Sequence, residues 1–197
     1  SYNSSSNSSF SSSSSATAAT AEASEAQEAV EMRLDQIKNK DPEMMATLAA
    51  IAEKSFEDTF SSGSHTITMQ DCGIDPNEYI DLMTDGFDYK FDSLDEYGSY
   101  VGLTYYLTVR DITQITSVIS DEFDSAATQT MSDAELREYV GKTVMDAVRN
   151  ADMTHYGMFD IDLDDKDGVL VIDEDDWDFE MRYFFSVSYT HLTLPTI

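Results

Sequence analysis

A single cysteine, Cys72, is present in 197 residues, so no disulfide can form within the chain. Its neighbours in MQDCGIDP include Asp71 and Asp75, whose charge disfavours a thiolate. A small buried hydrophobe is therefore expected at Cys72, not a nucleophile. Basic residues are equally scarce, with 11 Lys and Arg against 39 Asp and Glu and a formal charge of −28. No basic cluster occurs anywhere, and phosphate backbones and anionic lipid surfaces would be repelled. Nucleic-acid binding is excluded on these grounds. No apolar run reaches the length of a spanning helix. Neither a P-loop nor G-x-G-x-x-G is found, and G-x-S-x-G is missing near His65 or His155.

What the chain does have is a sharply divided composition. Residues 1–20, SYNSSSNSSFSSSSSATAAT, are low in complexity and nearly uncharged. Such a segment can bury little and is expected to be a flexible, disordered tether. About 165 residues then follow, from Ala21 to Phe185. A chain of that size buries roughly 70% of its unfolded surface in one core, so a single domain over 21–185 is expected. Its acidity suits solubility outside a cell, tolerance of high salt, or loose attraction of cations.

Local signals divide this domain into helices and hairpins. Residues 21–40 are rich in helix formers, and Val30, Leu34 and Ile37 make a narrow apolar stripe that predicts light packing. Asp41-Pro42 and Asp75-Pro76 each supply an N-cap and a first-turn proline for a helix. Met45, Leu48, Ile51, Ala52 and Phe56 form the buried stripe of the first of these two helices. Asp111 with Gln114 opens another helix, burying Ile112, Ile115, Ile119 and Phe123. Ser132 with Glu135 is a capping box for the next, which carries Leu136, Val140, Val144 and Val148.

Between the helices the period changes to two. Phe87, Tyr89 and Phe91 alternate with polar residues, as do Val101, Leu103, Tyr105, Leu107 and Val109 beyond a turn at Gly98. Phe159, Ile161 and Leu163, a turn at Asp165-Lys166-Asp167-Gly168, and Val169 to Ile172 make a second hairpin. The fold class expected is α+β, with helices packed on one face of a small antiparallel sheet built from two hairpins.

Three constellations carry possible chemistry. With Gly168 at position 6 of a calcium loop, Asp165, Asp167 and Glu174 fall at positions 3, 5 and 12. Position 1 would be Leu163, and the flanks alternate like strands, so a solvated hairpin competes with the metal reading. Asp160, Asp162 and Asp164, on one strand face, could also hold a divalent ion weakly. Tyr89, Tyr105, Tyr106, Trp177, Tyr183, Phe184 and Phe185 either line a cavity or fill the core. No catalytic or cofactor-binding residue is assigned, and no cofactor is expected.

Two resemblances add to this reading. Val187 to Thr196, VSYTHLTLPT, resembles the translation of a transposase adapter used in sequencing libraries, which implies that residues 186–197 are an artefact. The stretch IDPNEYIDLMTDGFDYKFDSLDEYGSYVGLTYYLTVRDI and the closing DKDGVLVIDEDDWDFEMRYFF resemble a pattern in uncharacterised bacterial lipoproteins. There a short helix leads into a G-F-x-Y strand, a turn and a long alternating strand, and a strand ending in Ile-Asp with an acidic, aromatic tail closes the domain. Some of those families look like the nuclear-transport-factor-two-like superfamily, a cone of curved sheet wrapped by helices.

The resemblance implies a non-enzymatic domain outside the cell, lipid-anchored to the bacterial membrane upstream of residue 1. Its partner would be a protein or small ligand at the surface. A hydrolytic or small-ligand-binding enzyme with a cone-fold pocket is the alternative, and a weak calcium-binding surface module is a third reading.

Overall fold

The computed structural model describes residues 13–61, 63, 65–123, 128 and 130–187. The fold is α+β. Helices α1 (Ser13–Lys38), α2 (Pro42–Phe60) and α3 (Pro76–Met83) precede strands β1 (Asp88–Glu96) and β2 (Tyr100–Arg110). Helices α4 (Ile112–Phe123) and α5 (Asp133–Asn150) follow, then β3 (Met153–Lys166), β4 (Val169–Ile172) and α6 (Glu174–Phe185). The strands form one antiparallel sheet in the order β1-β2-β3-β4. The two expected hairpins are thus zipped together by β2 and β3, the longest strands.

Most helix starts are set by local capping. Asp41 accepts from the backbone N–H of Glu43 and Met44, Asp75 from Asn77, and Asp111 from Thr113 and Gln114. The Ser132–Glu135 box is reciprocal, each side chain bonding the other residue's backbone N–H. Satisfying otherwise orphaned N–H groups stabilises such a start by about 1 kcal/mol. At the other end, Arg110 donates to the carbonyls of Leu82 and Ala151 at 2.7 and 3.3 Å. One guanidinium thereby meets the negative C-terminal ends of α3 and α5.

Two helices depart from expectation. Helix α1 extends back to Ser13, so residues 13–20 of the expected tether are helical, while 1–12 lie outside the described residues. Its narrow stripe is also deeply packed, with Val30, Leu34 and Ile37 fully buried. The acidic, aromatic tail becomes α6, capped by Asp173, which accepts from Asp175 and Asp176 N–H at 2.9 and 3.1 Å. Trp177, Met181, Phe184 and Phe185, spaced on one helical face, enter the core.

Beyond α6, Ser186 and Val187 are buried against α2, and the Val187 carbonyl accepts from the hydroxyls of Ser55 and Thr59. Residues 188–197, the rest of the segment resembling an adapter, lie outside the described residues.

Close packing elsewhere explains a small residue. A side chain at Gly141 on α5 would put Cβ 1.8 Å from the Cys72 carbonyl oxygen, so the helix can rest on that turn only through a glycine. The Cys72 thiol is buried, and burial first, then Asp71, pushes it up to about 11. Cys72 is thus a small buried side chain, as the sequence implies.

Candidate binding face

The period-two pattern gives the sheet two unlike faces. On the inner face Val101, Leu103, Tyr105, Leu107 and Val109 of β2 are all buried, next to Phe159, Ile161 and Leu163 of β3. A bulge at Asp92 shifts the register between Phe91 and Ser93, so Leu94 still comes opposite inner Leu103. Helix α1 crosses this face, where Asp35 accepts from the Tyr89 hydroxyl at 2.7 Å. Burial, and then the Asp35 carboxylate, pushes that phenol well above its ordinary range. Trp177 of α6 meets Phe159 edge to face at 5.8 Å.

The outer face is built from the alternate residues. Lys90 of β1 lies opposite Tyr106, Tyr106 opposite Met158, Thr104 opposite Asp160, Gly102 opposite Asp162, and Tyr100 opposite Asp164. Thr104 donates to Asp160 at 2.7 Å, and the Thr108 hydroxyl pairs with His155 Nδ1 at 3.1 Å. Large side chains stay in solvent: Tyr156 is 82% exposed, Met158 56% and Tyr97 55%.

Aromatic and acidic side chains meet at the β1–β2 turn. Tyr97 N–H donates to the Tyr100 carbonyl at 3.0 Å, and the two rings stack at 4.9 Å and 19°. A Cβ placed on Gly102 would meet Asp162 Oδ1 at 3.3 Å and the Tyr97 ring at 3.5 Å, so ring and carboxylate converge above that glycine. Asp95 first, with burial, Tyr100 and Asp162, raises the Tyr97 phenol. Asp162 is raised by desolvation and by the crowding of Asp176, Asp164, Asp173 and Asp160.

At the edge of β3, helix α6 replaces the strand that β4 does not provide. Asp173 N–H donates to the Asp162 carbonyl and Asp162 N–H donates to Asp176, both at 2.9 Å. One turn on, Glu180 is half-buried between Asp176 and Asp160. Desolvation first, then those two carboxylates, pushes it up to about 8.

The sequence-derived candidates are distributed differently from a metal site. Asp165 accepts from Gly168 N–H at 2.7 Å, and Asp167 and Gly168 both take positive φ, of 58° and 82°, in the two-residue turn. That pair of left-handed residues is what a tight hairpin of the I′ type demands. Glu174 instead pairs with Arg33, which holds its carboxyl below the usual range. No group of three or more His, Cys, Asp or Glu among the described residues is arranged to hold a metal ion.

Of the aromatics, Tyr105, Trp177, Phe184 and Phe185 are buried in the core, and Tyr89 packs partly buried against it. Tyr106 is on the outer face, and Tyr183, exposed on α6, stands edge-on to Phe184. The corner residues Tyr97 and Gly102 were not singled out by sequence reasoning. The signal was the run Tyr97-Gly-Ser-Tyr100, with aromatics on both sides of a two-residue turn.

Two concavities lie elsewhere on the surface. A groove of about 280 Å³ between α4 and α5 is lined by Val118, Glu122, Tyr139, Lys142 and Asp146 among others, and an open one along α1 is lined mainly by acids. Among the described residues no helix is long and apolar enough to cross a membrane. No protein-family model, curated protein or solved structure matches this chain.

Proposed function

We propose that the protein is a non-enzymatic binding domain displayed outside a bacterial cell, and that it acts by presenting the outer face of its sheet. The observation that carries this reading is the contrast between a filled interior and an uncovered, tyrosine-rich sheet face. Buried polar side chains among the described residues are all hydroxyls: Ser55, Thr59, Thr84, Thr116, Thr143 and Ser186. All carboxylates among the described residues keep contact with solvent, and even Glu180, half-buried beside Asp176 and Asp160, is not fully enclosed. Reactive chemistry favours such enclosed, desolvated sites, whereas recognition needs only an accessible surface.

Display on a lipid-anchored tether is supported by the Ser-rich N-terminal segment, the strong acidity and the resemblance to bacterial lipoproteins. Sequencing the gene upstream of Ser1 tests the location. A signal peptide ending in a cysteine just before the Ser-rich run is expected, and a start codon without a signal overturns the surface reading. Chromogenic esters and glycosides are expected to show no turnover with the purified chain, and saturable turnover would overturn the non-enzymatic reading.

A further inference from the structure

We propose that the Tyr97–Tyr100–Asp162 corner of the outer sheet face docks an extended, arginine- or lysine-bearing segment of a partner protein. This rests on the reading of the outer face as the presented surface, and adds the chemistry of what it takes.

The molecule contains its own template for the contact. On the inner side the Arg33 guanidinium sits 5.0 Å from the Trp177 ring while bonding the Glu174 carboxylate at 3.0 Å. A cation held between an aromatic face and a carboxylate gains from both. The outer corner repeats two parts of that arrangement, a stacked tyrosine pair and the Asp162 carboxylate meeting above Gly102. The third part, a cation, is missing there: among the described residues no lysine or arginine forms an ion pair with Asp162 or Asp95.

Charge complementarity sets the sign of the partner. Asp95, Asp160, Asp162 and Asp164 share this face with Lys90 and Lys166, in a chain of net charge −28. Asp162 is crowded by four other carboxylates, and an incoming cation relieves that repulsion. A neutral sugar could stack on the rings but would leave the repulsion in place.

Spacing sets the shape. Asp160, Asp162 and Asp164 alternate along β3, roughly 6.6 Å apart. Alternate side chains of an extended segment have the same repeat, so one cation can lodge at the tyrosines while others follow the aspartate row.

The test uses the full chain and a nine-residue peptide alternating serine with arginine, titrated by calorimetry at low and moderate salt. Its citrulline counterpart, spermine and a set of neutral oligosaccharides are the comparison ligands. Tyr97→Leu keeps an apolar cover over Gly102 and leaves the charge unchanged, Asp162→Asn removes one crowded carboxylate, and Glu53→Gln removes one exposed charge on α2. Expected are saturable binding of the arginine peptide, no binding of the citrulline form, at least fivefold weakening by Tyr97→Leu and by Asp162→Asn, and no more than twofold by Glu53→Gln. Melting temperatures should be retained in all three variants.

Equal weakening by Glu53→Gln and Asp162→Asn, with no effect of Tyr97→Leu, overturns the proposal in favour of diffuse attraction. Spermine binding as tightly, or an oligosaccharide binding in its place, also overturns it and leaves the presented face intact as a reading. Absence of peptide binding in a chain whose gene encodes a lipoprotein signal overturns the cationic partner alone. Peptide binding with a gene that lacks a signal keeps the docking corner and overturns the location.

Discussion

The two faces of this sheet come from the same strands, residue by residue, yet they are built to opposite ends. Phe159 and Met158 are neighbours on β3, one fully buried against Tyr105 and Trp177, the other 56% exposed. The inner face is held by apolar area and aromatic contacts, which salt does not screen and most changes of pH leave unaltered. Hydroxyls, carboxylates and tyrosine rings in water make up the outer face, where each interaction is individually weak. Stability and the proposed recognition are therefore separable here by a step of a single residue.

The comparison is tested most strongly by that step. Phe159→Ala is expected to cost about 3–5 kcal/mol, from lost transfer energy and the cavity left behind, and Met158→Ala no more than about 1 kcal/mol. Urea denaturation of both variants measures the difference, and equal losses would mean that the outer face is covered in solution.

A smaller effect should come from the layer behind the inner face. Ending the chain at Phe185 removes the buried Val187 and leaves the Ser55 and Thr59 hydroxyls without its carbonyl. A loss of about 2 kcal/mol relative to a chain ending at Val187 is expected in thermal melts, as for burial of one valine.

The seam between the faces should respond to pH. Glu180, ordinarily near 4.5, is raised to about 8, so the folded protein holds this proton more tightly than the unfolded chain. Its contribution is fully present below about pH 4.5 and is lost as pH rises towards 8. Glu180→Gln should flatten the stability–pH curve across that window and leave the variant more stable than the parent above it. Parallel curves for parent and variant would show that the carboxyl is better solvated than its position implies.

The smallest change is expected from Gly102→Ala on the outer face, where the added methyl crowds only the ends of Asp162 and Tyr97 and lies at an ordinary 4.0 Å from the Asp95 carbonyl. Those side chains can swing away, so stability should fall by less than about 1 kcal/mol. The Tyr97–Tyr100 stack should loosen, visible in the near-ultraviolet circular dichroism.

How much of this was legible in the sequence follows from the range of each interaction. The caps at Asp41, Asp75, Asp111 and Ser132 involve residues two or three positions apart, and all four helix starts could be read directly. Helix α6 could not, because Trp, Phe and Tyr favour strands and the preceding Val-Leu-Val-Ile continues the pattern. Its signal, Asp173 followed by three acids and then Trp177 and Met181 four apart, was local but outweighed.

Nor does the narrow stripe of α1 reveal how completely other elements cover Val30, Leu34 and Ile37. The pairing of β2 with β3 spans two intervening helices, so no local pattern specifies it. The corner at Gly102 depends on that pairing, since only the register brings Asp162 opposite the glycine. Candidate residues on a single strand could be listed from the sequence, whereas a site assembled across strands could not.

The position of Trp177 gives the molecule a built-in reporter. It is the only tryptophan in the sequence, and it is enclosed by Arg33 of α1, Phe159 of β3 and its own helix at 5% exposure. Its emission therefore reads the junction of the first helix, the longest strand and the last helix, elements drawn from both ends of the chain. A red shift during unfolding marks the moment at which those ends part, with no dye attached and no background from a second indole.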